Sequence, residues 1–321
     1  KVLGLLFRDL LLCPLKFMWP KFNKMKSIYL FLVISLGLLS SCAFNEINQQ
    51  TEQADAEIQK YIKVRNLTMQ KTADGMYFLK DTKGSTGKTA TASDLIKFHY
   101  KMTLLDGTLV DSTNRVLNQF KAEVWGTKAT VFTLPLSNLK EGESGVFILP
   151  ASLAFGGSSF GNVPSYSTIR VDITVIAIRT EAEQIADMKV TYGMENAELT
   201  TSGMFFKKLV EKPSAAQVLV GQNVVVSYVG KFGYGVLQQD SAGKWFYSPT
   251  FGSGTIGSAA SAYYAGSGNL IAGFEEAVMK LRIGEKASII LPYKLAYGTA
   301  GNSAIPGYSP LYFEIEIISA Q

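Results

Sequence analysis

YYAGSGNLIAGFEEAVMKLRIGEKASIILPYKLAYG occupies residues 263–298 and carries three structural signals in succession. Phe274, Ala277, Val278 and Leu281 recur at helical intervals, which predicts one amphipathic helix. Arg282 sits near its expected carboxyl end, and Gly284 is the expected stop. ASIILP (287–292) then reads as a buried strand, and LAYG opens a glycine-rich loop, LAYGTAGNSAIP (295–306).

That loop occurs twice, because residues 153–164 read LAFGGSSFGNVP. Working outward, Gly142 and Gly284, Pro150 and Pro292, and Pro164 and Pro306 are all 142 residues apart. Further upstream the offset is 128, as between GMYFLK (75–80) and GMFFKK (203–208), or Tyr100 and Tyr228. Solenoid repeats run about 20–50 residues, so these are tandem domains. The change of offset gives the second unit 14 extra residues, expected within the Gly-, Ser- and Ala-rich stretch 252–268 as a mobile loop beside the binding site.

NVVVSYVG (223–230) and LYFEIEII (311–318) are further strands of the second unit. DLIKFHYKMTLL (94–105), VFILP (146–150) and TIRVDITVIAI (168–178) are their counterparts in the first. One short helix among antiparallel strands makes each unit α+β. The expected boundaries are 57–179 and 200–321, with 180–199 as a partly helical connector.

The amino-terminal region reads separately. Around Met25, Lys24 and Lys26 form a short positive region, followed by the apolar run IYLFLVISLGLL and then Ser40-Ser41-Cys42. This has the outline of a secretory signal, with residues 1–24 as upstream translated sequence. Its end, LSSC, resembles the lipobox of bacterial lipoproteins, which implies cleavage before Cys42 and lipidation there. A membrane-spanning helix is the alternative. Residues 42–56 read as a polar spacer. Residues 1–42 hold six basic and one acidic side chain, so the other 25 basic and 25 acidic groups of the chain's 31 and 26 cancel. No basic excess remains for a nucleic-acid partner. With only Cys13 and Cys42, the folded part offers neither a disulfide nor a thiol nucleophile. His99 is the one histidine, read as a strand residue beside the pocket with no base or metal partner.

HYKMTLLDGTLVDS, LKEGESGVFILPASLAFG and VPSYSTIRVDITVIAI in the first unit, with VVVSYVG, residues 263–298 and AIP followed by LYFEIEI in the second, carry a family resemblance. The chain resembles two FKBP-type peptidyl-prolyl isomerase domains in tandem. The resemblance implies an antiparallel sheet wrapped around one short helix, an apolar pocket between them, and cis–trans isomerisation of Xaa–Pro bonds. Twisting that amide opposes a barrier of about 18–20 kcal/mol. No bond breaks, so no nucleophile, metal or cofactor is implied. A dry pocket that disfavours the polar planar amide lowers the barrier by binding the twisted form better.

By the same resemblance, the second pocket comprises Tyr228, Phe246, Leu270, Ile271, Phe274, Tyr297, Ile305 and Phe313. Phe274 is the expected floor and Tyr297 the donor to a substrate carbonyl. The family's Phe-Asp-Ser loop is placed on WFYS (245–248), so Tyr247 stands where Asp is usual and offers its hydroxyl to Tyr228. In the first unit the expected binding residues are Tyr100, Val110, Asp111, Phe132, Phe155, Val163 and Val171. There Phe155 replaces the donor tyrosine, so the second unit is expected to carry most of the activity, even as an isolated fragment 195–321. The implied partners are proline-containing or unfolded exported polypeptides, met in the cell envelope by a protein anchored at Cys42, with the outer membrane facing the periplasm as the expected location. A chaperone or binding module without catalysis is the alternative, and a structural subunit of an envelope complex is a third.

Overall fold

The computed structural model describes residues 52–258 and 262–321. The signal-like run, Cys42 and most of the polar spacer lie outside the described residues. The spacer's last residues are helical, however, because α1 runs over residues 52–64. Its Ile58 is buried with Tyr77 and Ile148.

The first domain forms seven strands: β1 (Gln70–Lys71), β2 (Tyr77–Asp81), β3 (Leu95–Leu104), β4 (Leu109–Ser112), β5 (Lys121–Val124), β6 (Ser144–Leu149) and β7 (Ile169–Arg179). They lie in the order β1-β2-β6-β7-β3-β4, with β5 also paired to β3. The second domain repeats that order with β8 (Glu198–Leu199), β9 (Phe205–Val210), β12 (Lys286–Leu291), β13 (Leu311–Ala320), β10 (Val224–Gln239) and β11 (Trp245–Ile256). All of these pairings are antiparallel. Along β7, Ile169, Val171, Ile173 and Val175 alternate inward, as a sheet with one covered face requires. Short helices cover the concave faces: α2 (Thr133–Ser137) in the first domain and α4 (Ala272–Met279) in the second. Phe274, Ala277 and Val278 of α4 are buried, as their spacing predicts. The helix ends at Met279, before the expected stop. Gly284, at φ +77°, instead shapes the turn into β12.

The extra residues of the second domain are not where the sequence suggested. Lys101 pairs with Ser112, eleven residues on, whereas its counterpart Val229 pairs with Ser253, twenty-four residues on. Thirteen of the extra residues therefore lengthen the β10–β11 hairpin. Residues 252–256, expected in a loop, are strand.

The long hairpin packs on the first domain. Leu95 and Val124 share one buried cluster with Phe232 and Tyr234, and Phe120 and Ala122 pack against it. The connector supplies α3 (Glu181–Thr191), whose Thr180–Glu183 capping box satisfies its first turn. Lys88 of the first domain reaches Glu183 at 2.6 Å, and Glu181 accepts the Tyr293 amide of the second at 2.7 Å. Met188 lies over Gly233, where an added Cβ would fall 2.7 Å from its Cγ. Only glycine allows that approach.

Candidate functional site

Both concave faces hold a cavity. In the second domain it measures about 360 Å³ and gathers residues from five places in the chain. Tyr228 comes from β10, Phe313 from β13 and Phe274 from the first turn of α4. Their rings meet edge to face: Tyr228 and Phe274 at 6.0 Å and 89°, Phe274 and Phe313 at 5.5 Å and 85°. That arrangement sets positive ring edges against negative faces. Leu270 and Ile271 enter just before the helix. The Glu275 carboxylate pins their segment by accepting the Gly266 amide at 2.8 Å and the Leu270 amide at 3.3 Å.

Tyr297 and Ile305 come from the duplicated loop. The Tyr308 amide donates to the Gly298 carbonyl at 2.9 Å, and the Asn302 side chain accepts the Ile305 amide at 2.8 Å. Tyr308 holds φ +60°, and Tyr166 holds φ +61° at the matching place in the first domain. A bulky residue in that region signals a conformation imposed by its surroundings. Closing the loop in this way presents Tyr297 at the cavity rim, 36% exposed. Burial raises its pKa, with Tyr228 adding to the effect. Neither hydroxyl forms a hydrogen bond among the described residues, so both remain available to a ligand.

Two sequence assignments fail. Phe246 lies far along the hairpin opposite Gln238, largely exposed and away from the cavity. Tyr247 faces the first domain, with its hydroxyl 3.3 Å from the Phe120 carbonyl and its ring 6.1 Å from that of Phe120. It does not brace Tyr228. The wall expected from Phe246 is formed by Phe251, 5.6 Å from Phe313 at 87°. Register makes Phe251-Gly252-Ser253 the counterpart of Val110-Asp111-Ser112, so the usual Asp is replaced by Gly252. Extending the 142-residue offset upstream from the helix would have come within one residue of this match.

The first-domain cavity is larger, about 750 Å³. It is lined by Tyr100, Val110, Asp111, Phe132 and Phe155 among others. The Tyr100 hydroxyl donates to the Asp111 carboxylate. Burial first, and then that bond, push the hydroxyl's pKa up. Phe132 meets Tyr100 at 4.6 Å, edge to face, and occupies the floor as Phe274 does. Val163 and Val171 are buried in the core and do not line the cavity. Their counterparts Ile305 and Phe313 do. Smaller side chains at these two positions go with the larger void. Phe155 stacks flat on exposed Phe160 at 5.0 Å, giving the rim an aromatic ledge in place of a donor. His99 is not beside the cavity, since its ring lies 3.1 Å from the Thr113 hydroxyl and neighbouring strand residues face opposite sides.

A family model described as FKBP-type peptidyl-prolyl cis-trans isomerase matches residues 86–176 and 215–318. The human peptidyl-prolyl cis-trans isomerase FKBP9 is 27% identical over 238 residues, covering 73% of this chain and 36% of that protein. Bovine FKBP10 is 23% identical over 238 residues, 73% of this chain and 35% of the relative. The chain thus spans little more than a third of these relatives. Among solved structures, the three FKBP domains of wheat FKBP73 align over 79% of this chain and 99% of that one, at 18% identity and a TM-score of 0.33. FkpA from Escherichia coli aligns over 50% of this chain and 74% of that one, at 19% identity and a TM-score of 0.35.

Proposed function

Because the chain belongs to the FKBP-type peptidyl-prolyl cis-trans isomerase family, we propose that its second domain catalyses rotation of Xaa–Pro bonds while the first holds client segments with little catalysis. The carrying observation is the aromatic box of Tyr228, Phe251, Phe274 and Phe313, with the Tyr297 hydroxyl at its rim. A proline ring enclosed there loses water from its imide, which disfavours the planar form. Tyr297 then donates to the neighbouring carbonyl, and a bond that strengthens as the amide twists raises kcat. In the first domain Phe155 supplies packing but no donor, which favours binding over turnover.

The test is a protease-coupled isomerisation assay on a short Xaa–Pro peptide. Tyr297→Phe should lower kcat/KM several-fold, since a net hydrogen bond of about 0.5–1.5 kcal/mol is lost, while Tm stays unchanged. A well-folded wild-type chain without isomerisation above background would replace the enzyme with a binding module.

We also propose that the protein acts on exported polypeptides while lipid-anchored at Cys42 to the cell envelope, at the periplasmic face of an outer membrane. Support comes from the Leu39-Ser40-Ser41-Cys42 ending of the apolar run. Two or more acyl chains give stable anchoring where one is marginal. Cys42→Ser should abolish processing, and unchanged gel mobility on substitution would contradict the anchor.

A further inference from the structure

Phe251, the wall that the second pocket needs, packs on the edge of its domain's core where that core is continued by first-domain side chains. Its ring lies 4.9 Å from Phe232. Phe232 stacks on Tyr234 at 5.2 Å and 15°. These two residues stand where the lengthened hairpin begins, and they share a buried cluster with Leu95 and Val124 of the first domain. The Phe232 carbonyl accepts the Tyr192 hydroxyl of the connector at 2.5 Å. Tyr192 is itself held by stacking on Tyr312 at 4.0 Å. A continuous series of packed rings and one hydrogen bond thus runs from the connector to the cavity wall.

We infer that Tyr192 and Phe232 are positioning residues for the second pocket, and that the connector and first domain complete its wall by way of the inserted hairpin. The inference rests on the isomerase reading of that pocket. Neither residue touches the cavity, so each acts only through Phe251. The hairpin therefore has a role beyond joining domains. Its base carries the ring behind the wall, while its outer part docks on the first domain through Tyr247 and Phe120. A fragment 195–321, which the sequence suggested as self-sufficient, lacks Tyr192 and leaves Phe232 and Tyr234 without Leu95 and Val124. It should be a poorer isomerase than the full chain.

The test uses the full chain with kcat and KM measured separately, together with methyl NMR of Ile256, Leu270 and Ile305, which line the cavity. Losing one aromatic contact or one hydrogen bond corresponds to about a two- to tenfold change. Phe232→Leu and Tyr192→Phe should lower kcat/KM by that factor, mainly through KM, and shift the cavity methyls. Phe232→Tyr, which keeps the ring, should restore wild-type values. Thr180→Ala is the stability control: it removes the α3 cap at the other end of the connector helix. It should lower Tm without moving kcat/KM or the methyl shifts. If Phe232→Leu and Tyr192→Phe behave like Thr180→Ala, positioning is wrong while the isomerase reading stands. If the wild type is inactive, that reading falls, and the methyl shifts alone still decide whether the wall is positioned from the connector.

Discussion

Gly252→Asp would return to the second pocket the carboxylate that the first one kept, and the structure fixes what should follow. In the first domain the Asp111 carboxylate accepts the Tyr100 hydroxyl. In the second, a Cβ built on Gly252 would lie 4.0 Å from the Tyr228 hydroxyl, with no atom closer. The backbone at Gly252 does not have positive φ, so an aspartate fits without strain. Its carboxylate reaches the hydroxyl by a short extension from that Cβ. A hydrogen bond to a charged group contributes about 1.5–3 kcal/mol. Partial desolvation of the carboxylate offsets part of this, leaving a net gain of about 1 kcal/mol. That raises Tm by about 2–4 °C for a unit of this size. If the fixed Tyr228 ring improves transition-state packing by the same amount, kcat/KM rises about fivefold. Calorimetry and the protease-coupled assay read the two effects, and Gly252→Asn, with a weaker acceptor, should fall between wild type and Asp. A drop in both Tm and kcat/KM for Asp, with Asn no better, would refute the reasoning. Position 252 would then be glycine because a substrate backbone needs the space.

Two further predictions separate the corrected pocket from the expected one and probe the connector. Phe251→Ala should reduce kcat/KM about tenfold or more, through loss of one wall of the aromatic box. Phe246→Ala, at an exposed position, should leave it within about a factor of two. Glu183 is held at about 2, first by its bond to Lys88 and then by the Thr180 amide, against an ordinary value of 4.5. A depressed carboxyl contributes stability that is complete above its unfolded pKa and lost as pH falls through the folded one. Glu183→Gln should therefore lower Tm near neutral pH, and the difference should disappear between about pH 4.5 and about 2.

What could be read in advance was what local periodicity controls. The 3.6-residue spacing of Phe274, Ala277 and Val278 and the alternation of Ile169, Val171, Ile173 and Val175 placed helix and strands correctly, because burial of one face decides both. Tyr228, Leu270, Ile271, Phe274, Tyr297, Ile305 and Phe313 come together because they lie on or beside those elements. Phe251 was missed because its identity depends on which residue of a long hairpin pairs with Val229, and pairing across a long hairpin leaves no local signature. WFYS, with three aromatics and a serine, is a closer local match than FGS, and no local rule distinguishes them. Val163 and Val171 failed for a different reason. They occupy the positions that match Ile305 and Phe313, but their shorter side chains stay in the first-domain core and do not line its cavity.

The shared strand order of the two sheets makes assembly of this chain a sorting problem. Each sheet closes by joining strands distant in sequence, β3 with β7 and β10 with β13, and such pairings form late. Until they do, β3 can meet β13 and β10 can meet β7, in a swapped arrangement with nearly the right hydrophobic pattern. Tandem copies of one fold are prone to this kind of kinetic trap. Unequal lengths work against it: β10 spans 16 residues to the 10 of β3, and β11 spans 12 to the 4 of β4. A swap would also separate the long β10–β11 hairpin from the first-domain surface of Leu95, Val124, Phe120 and Ala122 on which it packs. Divergence between the copies then protects the order in which the chain finds itself, and equalising the two hairpins should slow refolding even where it leaves the finished protein as stable.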